Sequence, residues 1–152
     1  MRTHTERALD YGIPIAVILF GGVNDAVRNL SADETADNAK YMLSWLKEHD
    51  IERVLVVGTA HLNWTCQAGW WDASLRVREV LREVAQEQDV MFVDLGGKQL
   101  AMIENGRAPN FAIEPYRQRD SWHVYENNQH FNARGQRLVA NTIASNLFPL
   151  LR

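Results

Sequence analysis

Three short, continuous apolar runs limit what this chain can fold into. Ile15-Ala16-Val17-Ile18-Leu19-Phe20 ends in Gly21-Gly22, Val54-Leu55-Val56-Val57 ends in Gly58-Thr59, and Val90-Met91-Phe92-Val93 ends in Asp94-Leu95-Gly96. A strand with one wet face alternates apolar and polar residues. Runs rich in β-branched residues without that alternation belong to strands covered on both faces, the habit of parallel sheets. Parallel strands need long crossovers between them, usually helical.

Helical patterns fill the intervals. Ser31-Ala32-Asp33-Glu34 has capping-box spacing, in which the serine oxygen takes one orphan N–H and the glutamate reaches back to another. Behind it Ala39, Met42, Leu43 and Leu46 recur at three and four, and the helix should stop near His49-Asp50. A second pattern runs from about Ala73 to Gln88, with Val77, Val80, Leu81 and Val84 on one stripe. Arg76, Glu79, Arg82 and Glu83 should turn outward, and the Glu79–Glu87 charge run reads as a solvated face. A third helix opens near Asn132 and carries Leu138, Val139, Ile143 and Leu147. Strands alternating with helices of this length predict an α/β layered domain. With no repeat or Pro/Gly/Ser linker, residues 1–152 read as one domain. Gly96 to Trp122 reads as an irregular connection, with a short helix around Lys98–Ile103.

Composition removes several function classes. Nineteen acidic against sixteen basic residues leave a net charge of −3, with no basic excess to hold phosphate backbones, so nucleic acid is not an expected partner. The longest apolar run, Ile13 to Phe20, is about eight residues, well short of the ~20 that cross a bilayer. The polar start from Arg2 to Asp10 is unlike a signal peptide, so the expectation is a soluble chain, cytoplasmic as written. A lone cysteine, Cys66, cannot form an internal disulfide. His61, Cys66, His123 and His130 lack the paired spacing of metal ligands, and Gly58-Thr59-Ala60 lacks a phosphate-loop pattern. No metal or cofactor is expected.

In open parallel sheets ligands gather beyond the carboxyl ends of the strands. Three segments of this chain arrive there: Gly21–Asp25, Gly58–Trp71 and Asp120–Asn132. In the first, glycines let the backbone turn sharply, and the Asn24 amide can donate to a developing oxyanion. Read plainly, the same residues are a turn in which Asn and Asp suit the geometry. In the last, a histidine ahead of a helix with a carboxylate nearby can act as general base. Its plain reading is a capping cluster in which Asn132 starts the helix. The middle loop holds Trp64, Trp70 and Trp71, with Trp122 approaching from the last, and such aromatic faces suit sugar rings or acyl chains.

On these residues the chain resembles the SGNH hydrolases, the GDSL-type esterases and lipases. Gly22-Val23-Asn24-Asp25 after an apolar strand is similar to their third block, and His130-x-Asn132-x-x-Gly135 before an apolar helix to their last. The resemblance runs from Ile13 to Leu151. It implies a three-layer α/β/α, flavodoxin-like parallel sheet and hydrolysis of acyl or carbohydrate esters without cofactor. Asn24 would be the oxyanion-hole side chain, Gly22 would shape its turn, and His130 would be the general base. The family's aspartate lies three residues before that histidine, where this chain has Asn127. Asp120 stands three before His123 instead. Either Asp120 orients His130 across an insertion, or Asp120 and His123 form the working pair.

One block of the family is not found. Its nucleophile lies in a Gly-Asp-Ser motif after a first strand, and none of Ser31, Ser44, Ser74, Ser121 or Ser145 has that setting. The resemblance therefore implies a sheet lacking its first one or two strands, in a chain truncated at its N-terminus and inactive alone. The strand at 15–20 would then have an apolar edge without a partner, open to self-association. The alternative is a non-catalytic glycan- or acyl-binding module on the same fold, its cleft walled by Trp64, Trp70, Trp71 and Trp122.

Overall fold

The computed structural model describes residues 12–59, 70–98 and 133–152. In chain order these form β1 (Val17–Phe20), α1 (Val23–Val27), α2 (Ala32–Glu48), β2 (Val54–Val57), α3 (Trp70–Glu87), β3 (Met91–Val93) and α4 (Ala133–Leu150). The strands make one parallel sheet in the order β1-β2-β3. Val17 to Phe20 run in register with Val54 to Val57, and Leu55, Val56 and Val57 lie beside Met91, Phe92 and Val93.

Alternate residues of the strands feed two cores. On one face Val54 and Val56 pack with Leu43 and Leu46 of α2 and Val80, Val84 and Ala85 of α3, flanked by Val17, Leu19 and Phe92. On the other, Leu55, Val57 and Val93 meet Val139 and Ile143 of α4, with Leu95 sealing the end of β3. The result is the expected three-layer α/β/α arrangement. All four residues of β2 are buried, as the unbroken apolar run predicts. β1 differs: its residues alternate between half-buried and exposed. It is the edge of the described sheet; α4 packs over β2 and β3, and Ile18 and Phe20 are partly exposed.

Local chemistry sets the helix boundaries. Ser31 Oγ accepts the Glu34 N–H at 3.1 Å while Glu34 Oε2 accepts the Ser31 N–H at 3.0 Å, so the predicted capping box is formed. Three helices end alike, on a residue in the left-handed region followed by an apolar one. Asn29, Asp50 and Asp89 have φ of 52°, 58° and 52°. The next N–H in each case reaches the carbonyl five residues back: Leu30 to Asp25, Ile51 to Leu46 and Val90 to Ala85. This is the Schellman closure, with Asn or Asp where glycine is commonest. α3 starts at Trp70, three residues before the start that its helical pattern predicts at Ala73, and residues 95–98 begin a helical turn that the sequence places slightly later, around Lys98–Ile103. Among the described residues no helix is long and apolar enough to cross a membrane.

Two stability changes follow. Leu55 is fully buried in the central strand, so Leu55→Ala should lower the unfolding free energy by about 2–5 kcal/mol in urea titrations. Asp89→Gly should raise it by about 1 kcal/mol, because glycine takes the left-handed conformation without the Cβ penalty.

Candidate active site

The three strands point their carboxyl ends at one rim, and the first of them sets the geometry. After Phe20 the chain turns through Gly21 and Gly22, and Gly22 caps α1 in the left-handed conformation with φ 93°. A Cβ at position 22 would lie 2.7 Å from Val77 Cγ1 and 3.3 Å from Leu81 Cδ1. Backbone conformation and close packing on α3 therefore both demand glycine here.

That close approach lets α1 sit directly on α3. Ala26, Ala73 and Val77 form a small buried cluster flanked by Val23, Val27 and Leu81. Arg76 Nη2 donates to Asn29 Oδ1 at 2.7 Å and ties the far end of α1 to the same helix. Thr59, fully buried at the end of β2, supports the turn from below: its Cβ is 3.7 Å from where a Gly22 Cβ would lie. Asn24 is thus held on the first turn of α1, exposed at the rim.

A second anchor holds the end of β3. Asp94 receives a two-pronged hydrogen bond from Arg78, Nε to Oδ1 at 2.7 Å and Nη2 to Oδ2 at 2.8 Å, and a third from the Gly97 N–H at 2.7 Å. Arg82 approaches Oδ2 at 3.5 Å, bridges to Glu79 and lies 5.9 Å over the Phe92 ring. The Arg78 guanidinium, helped by the Gly97 N–H, holds the Asp94 carboxyl below its ordinary range against the opposing effect of partial burial. Lys98 Nζ then donates to the buried Thr142 of α4 at 3.0 Å. The polar face of α3 is therefore only partly solvated: Glu83 is exposed, whereas Arg76 and Arg82 are half-buried and bonded. Sequence reading missed this network. Its signal was an aspartate at a strand end and two arginines four apart on the preceding helix.

Of the predicted site residues, Gly22 and Asn24 are described and meet at the rim. Trp70 and Trp71 open α3, with only their backbone described. His130, Asp120, His123, Trp64 and Trp122 lie outside the described residues. Among the described serines none follows a strand. Ser31 caps α2, Ser44 is exposed within it, Ser74 is fully buried in α3, and Ser145 donates to the Thr142 carbonyl.

The fold and the sequence both have counterparts among known proteins. The sequence matches the GDSL-like lipase/acylhydrolase family over residues 4–138. The chain belongs to that family. Two solved structures share the fold at 19% identity, each matching 96% of this chain. One is the lipase/acylhydrolase from Enterococcus faecalis, with a TM-score of 0.71; the other is the acetyl xylan esterase AlAXEase, at 0.73. The chain spans 66% of the first and 73% of the second. No curated protein matches it.

Gly22→Ala should destabilise the fold by about 1–3 kcal/mol from backbone strain alone, read by urea unfolding. Adding Val77→Ala should relieve the clash but not that strain. For Asp94, a folded pKa below the unfolded value means the unfolded chain binds more protons in acid. Stability from this group is then present above the unfolded pKa of about 3.9 and lost as pH falls through the folded value. The stability gap between the native protein and Asp94→Asn should be constant from pH 5 to 7 (roughly) and close below about pH 4.

Proposed function

We propose that this chain is the oxyanion and general-base portion of a serine ester hydrolase acting on acyl esters or carbohydrate O-acyl esters. It does not turn substrate over alone, because it lacks its own nucleophile; the serine belongs to polypeptide outside residues 1–152. The observation carrying this reading is the left-handed Gly22 turn that holds Asn24 at the carboxyl rim, in a chain of the GDSL-like family.

The chemistry assigned to the residues is acyl transfer in two halves. His130 takes the proton as the serine oxygen attacks the ester carbonyl, and Asp120 holds the imidazole in one tautomer and stabilises its cationic form. The Asn24 amide donates to the oxygen on which negative charge develops. The ester C–O bond then breaks, and His130 returns the proton to the leaving alkoxide. Water, activated by the same histidine, releases the acid and frees the serine. Asp120 with His123 remains the other pairing, and the tryptophans Trp64, Trp70, Trp71 and Trp122 would contact the acyl or sugar part. The acetyl xylan esterase of the same fold fits a small acyl group on a sugar.

Assayed on an aryl acetate as the longer polypeptide carrying the serine segment, the enzyme should lose turnover with His130→Ala. Asn24→Ala should lower kcat by about 10²–10³ with little change in KM. Turnover indifferent to His130→Ala would overturn the assignment of the base. Absence of turnover, with glycan affinity that falls on changing the tryptophans, would replace the hydrolase by a binding module.

A further inference from the structure

α1 is five residues long, well below the ~12–15 at which an isolated helix becomes even marginally stable in water. Its orientation is therefore set by what grips it from outside. At its start the Gly22 turn packs on Val77 and Leu81. Along its length it meets α3 through Ala26, Ala73 and Val77. Contact between such small apolar groups resists separation but has little directional preference. It makes a pivot, and rotation about that pivot has to be fixed elsewhere.

The far end carries the directional bond. Arg76, which helical periodicity assigns to the outward face of α3, is half-buried and donates from Nη2 to Asn29 Oδ1 at 2.7 Å. Asn29 stands in the left-handed region, with φ 52°. Its two chain neighbours reach back to the first turn: the Arg28 N–H donates to the Asn24 carbonyl at 2.9 Å, and the Leu30 N–H to the Asp25 carbonyl at 3.0 Å. Arg76 therefore grips the residue through which the end of α1 is tied to its beginning.

We propose that Arg76 is a positioning residue for the Asn24 amide, fixing the rotation of α1 and with it the direction in which that amide donates. The proposal rests on the ester-hydrolase reading, in which the amide meets the developing oxyanion. Such a donor works by being preorganised, and one free to swing must be reoriented as charge develops. Loss of the tether should then fall on kcat more than on KM. The planar guanidinium holds a direction that a single rotatable ammonium holds less well.

In the longer polypeptide carrying the serine segment, assayed on an aryl acetate, Arg76→Met keeps the side-chain stem and removes the donors. It should lower kcat by about five- to tenfold with KM little changed, and Arg76→Lys should recover part of the loss. In an Asn24→Ala background the same change should cost less than about twofold, because the amide it positions is gone. An equal fall in both backgrounds would make Arg76 a general stabiliser and overturn the proposal. The 152-residue chain gives a reading independent of turnover. In native-state hydrogen exchange, Arg76→Met should speed the Arg28 and Leu30 amides by about five- to tenfold and leave those of α2 unchanged. Unchanged exchange at Arg28 and Leu30 would overturn the proposal and leave the ester-hydrolase reading standing. A kcat indifferent to Asn24→Ala would remove that reading and the positioning role together.

Discussion

The contact between the Gly22 turn and Val77 of α3 is the constraint on which the rest of the rim depends. It brings α1 close enough for Ala26 to bury itself against Ala73, and Arg76 then fastens Asn29. It also joins two parts of the chain more than fifty residues apart. α3 carries the Gly22 turn on one flank and, through Arg78, the Asp94 anchor of β3 on the other. One helix thereby sets the distance between the Gly22 turn and the end of β3. A Cβ at position 22 would meet Val77 and Leu81 and push α1 off α3, moving Asn24 with it.

What was legible in the sequence is what local chemistry decides. Ser31 and Glu34 announce a capping box because both partners lie within one turn. The β2 run reads as buried on both faces because nothing polar interrupts it, and helices on both sides cover it. Gly22-Val23-Asn24-Asp25 after an apolar strand was readable as a rim turn, and the left-handed φ at Gly22 is the reason glycine stands there. What escaped depends on long-range packing. Arg78 meets Asp94 only because α3 lies on the sheet at one rotation, and helical periodicity does not encode that rotation. Which residues of β1 are exposed likewise depends on where α4 lands, over β2 and β3.

Family membership and rim geometry give the fold a clear direction. The family is one of lipases and acylhydrolases, the sheet is parallel, and the chain spans about two-thirds to three-quarters of the two solved structures named above. Within the described residues the rim offers a hydrogen-bond donor at Asn24 but no serine placed to attack. Ser74, in the first part of α3 beside Ala73, is sealed in the core. Donor and nucleophile are separable in physical terms: the first needs only a rigid turn, the second a strained strand end and a base beside it.

The most direct test is intact-mass analysis of the folded 152-residue chain after treatment with a fluorophosphonate, which labels serines activated by a neighbouring base. A chain that supplies the donor and the base but not the nucleophile should remain at its unmodified mass. A single adduct that disappears in His130→Ala would reveal a working serine–histidine pair within these residues and contradict the proposed division of the site.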